Sequence, residues 1–114
     1  GIRYASQLLE LPDAPTAIIA GNNTLTMGVL EAVRNHGLVP GREISMIGFE
    51  ECDEDVQVFS RHGITCFCLD TSAIASTAVE LLLGRMNQPG KSSGARLESL
   101  DLHFIERTSV CTVK

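Results

Sequence analysis

Short polar residues recur at three places where an apolar run stops. Asn22 and Asn23 follow the run at 16–20 and Gly21, Glu50 follows the run Ile44 to Phe49, and Asp70 and Thr71 follow Ile64 to Leu69. The chemistry these residues offer is recognition by hydrogen bonds. A carboxylate accepts from two hydroxyls, and an Asn amide both donates and accepts. The set therefore suits a hydroxylated ligand, with Phe49 as an apolar wall. Turn formation and helix capping would also account fully for Asn22, Asn23 and Asp70, and both readings stand at this point.

Catalytic signatures are missing. The sequence holds no phosphate-binding loop, nucleophile elbow, dinucleotide fingerprint or metalloprotease helix. His36, His62 and His103 are isolated, and nothing marks any of them as a general base. The acidic run Glu50-Glu51-Cys52-Asp53-Glu54-Asp55 lacks the alternating spacing and central Gly of a calcium loop, so it reads as a solvated loop. Of the four cysteines, Cys66 and Cys68 flank Phe67 inside an apolar run and read as small strand hydrophobes. Buried free thiols are the expected state, with disulfides or a metal site as the alternatives. The reading assigns no catalytic residue, no metal and no cofactor.

The elements that must hold these residues can be read from periodicity. Ile2, Ala5, Leu8, Leu9 and Leu11 fall near helical spacing, and Pro12-Asp13-Ala14-Pro15 ends that helix. The run at 16–20, bounded by turn residues, suits a strand buried on both faces. Asn23 or Thr24 is expected to cap a helix through about Asn35, with Gly37 closing it after His36. A second strand is expected at 44–49, a short helix at 56–60 and a third strand at 64–69. Thr71-Ser72 is expected to cap a helix to Met86, with Ala75, Ala78, Val79, Leu82 and Leu83 on its apolar side. Residues 87–94 read as a polar loop, and the alternation from Leu97 to Glu106 reads as a last strand. This order predicts an α/β fold: a mostly parallel sheet with helices on both faces. Ligands bind such sheets outside the carboxyl ends of the strands, where the three polar clusters lie.

The chain of 114 residues suits one domain, and 44% hydrophobic against 20% charged residues argues against disorder. No apolar run approaches the roughly 20 residues of a membrane span, and no long apolar stretch follows the first residues as in a signal peptide. The formal charge of −5 argues against autonomous nucleic-acid binding, which needs clustered Lys and Arg.

Several blocks, in order and over essentially the whole chain, resemble the effector-binding part of LacI-type transcriptional regulators. Leu11-Pro12-Asp13-Ala14-Pro15-Thr16-Ala17-Ile18-Ile19-Ala20 is similar to the family's L-P-D-x-P-T-A-I-x-A. Asn22-Asn23, Met27-Gly28, Gly37-Leu38 and Ile44 to Glu51 are similar to its N-D-x-x-A-x-G, G-L and I/V-S-V-I/V-G-F/Y-D-D, and Arg107-Thr108-Ser109 to its closing R-x-S. The resemblance implies a periplasmic-binding-protein-like fold of two lobes with a sugar or similar effector between them, and no cofactor. It also implies a homodimer, no membrane contact, and operator DNA bound only through a separate N-terminal domain, while the expected reduced cysteines favour a cytoplasmic setting. Residues 1–114 would then be the C-terminal part of the effector-binding domain, with a crossover helix at about 71–86 that packs in the other lobe. The N-terminal lobe and DNA-binding domain would be absent from it. By the same resemblance Asn22, Glu50, Leu69, Asp70 and Thr71 would contact the effector, and Met27, Leu30, Arg34 and Phe59 would meet a second subunit. Asn23 and Glu50 stand where the family has Asp, Arg61 to Thr65 stand for P-x-L-T-T, and Thr71 replaces an aromatic of some members. The alternative functions are an exported solute-binding protein of the same fold and, behind it, an enzyme on a doubly wound sheet.

Overall fold

The computed structural model describes residues 1–51, 58–87 and 94–112. The elements run α1 (Ile2–Leu9), β1 (Ala17–Ile19), α2 (Asn23–Asn35), β2 (Ser45–Glu51), α3 (Val58–Arg61), β3 (Thr65–Leu69), α4 (Thr71–Met86) and β4 (His103–Ile105). The sheet has the order β1-β2-β3-β4. The first three strands are parallel, with Ala17–Ile19 registered on Ser45–Ile47 and Ile47–Glu51 on Thr65–Leu69, and β4 closes the edge antiparallel to β3. This is the mostly parallel α/β sheet that the sequence predicts. Residues 52–57 and 88–93 lie outside the described residues, so the acidic run beyond Glu51, the start of the expected 56–60 helix and most of the polar loop lie there too.

The core forms between β2, β3 and the helices. Ala32, Val33, Met46, Ile64 and Cys66 are fully buried. Gly48 makes the approach possible: a Cβ there would lie 2.6 Å from the Thr26 methyl and 3.0 Å from the Phe59 ring. Phe49, Phe67 and Phe104 are registered across three strands, with ring centroids 5.3 and 5.1 Å apart. By strand alternation this row lies on the side away from Gly48 and Glu50. The C-terminal segment is tied to the starts of the central strands. Ser109 Oγ donates to the Met46 carbonyl at 2.6 Å and accepts from Thr65 N–H at 2.8 Å, while Cys111 N–H donates to Ser45 Oγ at 3.1 Å.

Some elements differ from expectation. The caps are Asn22 and Asp70, as the capping reading of those two residues has it, and not Asn23 or Thr24 and Thr71-Ser72. Asn22 Oδ1 accepts from Leu25 N–H and Asp70 Oδ1 from Ala73 N–H, each at 2.8 Å, because an Asx oxygen just outside the helix reaches the third amide inside it. The last strand is only three residues long, although alternation continues through Leu97–Leu102. Arg96 and Glu98 instead lie beside Thr77 and Glu80 of α4, where no ladder is available. Cys66 is a buried free thiol as expected, but Cys68 is disulfide-bonded, a correction to the free-thiol expectation. The α4 helix buries no residue, and Val79, Leu82, Leu83 and Met86 are more than half exposed. Its apolar side meets no partner among the described residues that would bury it, and the molecule is elongated, 60 × 29 × 24 Å. No helix of the described residues is long and apolar enough to cross a membrane.

Candidate functional site

A cleft of about 180 Å³ lies at the carboxyl ends of β1, β2 and β3 and at the start of α2. Gly21 to Thr24 form one rim, Phe49 to Glu51 the floor, and Leu69 the opposite wall. The apolar runs end here, so the first polar side chains after each strand converge. Asn22 has a double role. Its Oδ1 caps α2, its carbonyl accepts from Thr26 Oγ1 at 2.7 Å, and its side-chain NH2 takes no part in the cap. The capping reading of Asn22 is therefore met, and the residue still lines the cleft.

Glu50 reaches the same cleft but points its carboxylate inward. It is 5% exposed. Oε1 accepts from Phe59 N–H at 3.1 Å, Oε2 lies 3.6 Å from Arg107 Nη2, and the Cys66 thiol donates to Oε2 at 3.6 Å. Arg107 Nη1 also donates to the Ile64 carbonyl at 2.6 Å and to Cys66 Sγ at 3.2 Å. Burial pushes the Cys66 thiol above its ordinary pKa, and the neighbouring Arg107 opposes the shift. Fully buried and set between Glu50 and Arg107, the thiol serves as a hydrogen-bonded packing group.

The predicted site residues divide among three places. Asn22, Glu50 and Leu69 share the cleft. Asp70 caps α4 and lines a neighbouring hollow of about 270 Å³ with Ile74, Asp101 and His103, Leu69 being common to both. Thr71 is exposed at the start of α4 and lines neither. Thr24 and Glu51 line the cleft without having been singled out. Strand alternation held the signal for Glu51, since it places Glu51 on the same side as Phe49.

The expected subunit seam needs correction. Leu30 and Phe59 are each 1% exposed and belong to the core, where this chain's own packing leaves them no surface for a partner. Met27 is partly buried against the core, and Arg34 is exposed and hydrogen-bonds His62 Nδ1 at 3.2 Å. Among the described residues no group of three His, Cys, Asp or Glu side chains is placed to hold a metal ion.

With this geometry in view, the chain matches a family model described as a periplasmic binding protein-like domain over residues 2–110. It is similar to the HTH-type transcriptional repressor CytR of Escherichia coli, 30% identical over 102 residues that cover 90% of the chain and 29% of the relative. Its fold is similar to that of the lac repressor dimer bound to operator and the anti-inducer ONPF. There the TM-score is 0.78 at 24% identity, over 97% of this chain and 37% of that one. A LacI family transcriptional regulator from Arthrobacter in complex with lactose gives a TM-score of 0.71 at 26% identity, over 94% of this chain and 39% of that one. The chain thus spans under a third of the curated relative's length.

Proposed function

The chain belongs to the periplasmic binding protein-like domain family, of the LacI type, and from that premise we propose that it forms one wall of an effector-sensing cleft in a transcription regulator. The observation that carries the proposal is the convergence of Asn22, Asn23, Thr24, Phe49, Glu51 and Leu69 on one hollow at three strand ends. The amides and hydroxyl read the hydroxyls of a sugar or sugar-like effector, and Phe49 and Leu69 cover its apolar face. A ligand pocket usually has about 300–1,000 Å³, so a cleft of about 180 Å³ is half of a site. The other half belongs to an N-terminal lobe carried by residues outside this chain.

The function is binding, not catalysis. Effector contact with both lobes changes their relative orientation and, through it, the affinity of a separate N-terminal domain for operator DNA, which is a coupling between two sites. The net charge of −5 suits a sensing part that leaves the grip on DNA to other residues. Two copies meet along the open side of α2, at Met27 and Arg34, in a cytoplasmic homodimer that needs no cofactor.

Thermal denaturation of the chain with lactose and D-ribose tests the reading. Half a cleft binds weakly. With sugar at several times a millimolar Kd, the expected stabilisation is about 1 kcal/mol, a rise of a few degrees in Tm. Sugars also stabilise proteins by exclusion from the surface, so the decisive comparison is Asn22→Ala, in which the specific part of the rise disappears. An equal rise in chain and variant removes the proposal.

A further inference from the structure

Two adjacent acids end β2, and strand alternation sends them to opposite sides of the sheet. Glu50 faces the interior, where the Phe59 amide, the Cys66 thiol and Arg107 occupy both carboxylate oxygens. Arg107 is itself only 16% exposed. Turning Glu50 toward a ligand would leave Arg107 as an uncompensated buried charge, which is strongly unfavourable. Glu51 is registered on Leu69, is exposed, and shares the cleft with Asn22, Asn23 and Thr24.

We propose that Glu51 is the carboxylate a cleft ligand meets, and that Glu50 is a positioning residue that fixes the end of β2 against α3 and Arg107. The inference rests on the sensing reading above and narrows its ligand class. The described lining contains no Lys or Arg, and the start of α2, which otherwise attracts anions, is already capped by Asn22. The ligand face that fits this wall is neutral and rich in hydroxyls, which donate to Glu51 and exchange hydrogen bonds with the Asn amides. On the 114-residue chain alone, a sugar phosphate or sugar acid would meet Glu51 with no cation in this wall to balance it.

Carbodiimide coupling of glycine ethyl ester to accessible carboxylates, read by mass spectrometry on the 114-residue chain, tests both halves. Glu51 is expected to be labelled severalfold faster than Glu50. Lactose or D-ribose slows labelling of Glu51, and ribose 5-phosphate does not. Glu51→Gln keeps the Tm of the sugar-free chain and weakens sugar binding by about tenfold or more, the usual worth of a hydrogen bond to a charged group. Glu50→Gln lowers Tm while its remaining folded fraction still protects Glu51. Equal labelling of the two acids without sugar, or protection of Glu50 instead of Glu51, overturns the inference. If no sugar protects either acid, the sensing reading fails and Glu51's role with it, while the contrast in labelling without sugar still decides whether Glu50 is held inside.

Discussion

Ser109 joins two strands with one hydroxyl. It donates to the Met46 carbonyl and accepts from the Thr65 amide, and it is 1% exposed. Ser109→Ala would leave both backbone groups buried without their partner. An unsatisfied buried group costs about 1–3 kcal/mol, so urea denaturation of Ser109→Ala is expected to show a loss of roughly 2–3 kcal/mol. A loss below about 0.5 kcal/mol, the level of an ordinary surface change, would mean that another group takes the place of the hydroxyl. The closing R-x-S of the sequence thus has a physical content that its letters do not reveal. Arg107 neutralises Glu50, and Ser109 ties β2 to β3. Neither partner is near in sequence, so the roles were not legible before the fold.

At the scale of elements, α2 serves the core and the cleft together. Its inner face holds Thr26, Val29, Leu30 and Val33, and its cap Asn22 forms the cleft rim. Two substitutions separate the roles. Asn22→Asp keeps an oxygen for the Leu25 amide, adds charge favourable to the helix N-terminus, and removes only the amide donor. Its chemical stability is expected within about 0.5 kcal/mol of the parent, with sugar binding weakened. Asn22→Ala loses the cap as well, at about 1 kcal/mol. Equal stability of the two variants would show that the cap contributes nothing. The strands and helices were legible because apolar runs end at Gly, Pro, Asn and Asp, which have few local alternatives. The fourth strand was less so: Leu97 to Leu102 alternate as a strand does, but alternation forms a ladder only where a neighbouring strand exists. In the site, strand ends located Asn22 and Leu69. They did not reveal the inward turn of Glu50, which depends on Arg107 arriving from the far end of the chain.

At the scale of the molecule, α4 is the outlying feature. The radius of gyration is 18.7 Å, against about 13 Å for a compact chain of this length. The excess accompanies a helix that buries none of its residues and a segment, 94–104, that is exposed throughout. On the reading that this helix packs in another lobe, the isolated chain covers the exposed leucines by self-association, as large apolar patches usually are covered. Sedimentation is expected to show concentration-dependent association, relieved by Leu82→Glu with Leu83→Glu. A well-folded monomer with α4 ordered and facing solvent would contradict it. The central claim, that three strand ends form the effector cleft, is tested most directly by amide chemical-shift mapping of the chain titrated with lactose and with D-ribose. The account predicts saturable shifts at Gly21 to Thr24, Phe49 to Glu51 and Leu69, with affinity in the millimolar range, a binding free energy of about −4 kcal/mol. Shifts confined to other residues, or none with either sugar, would contradict it.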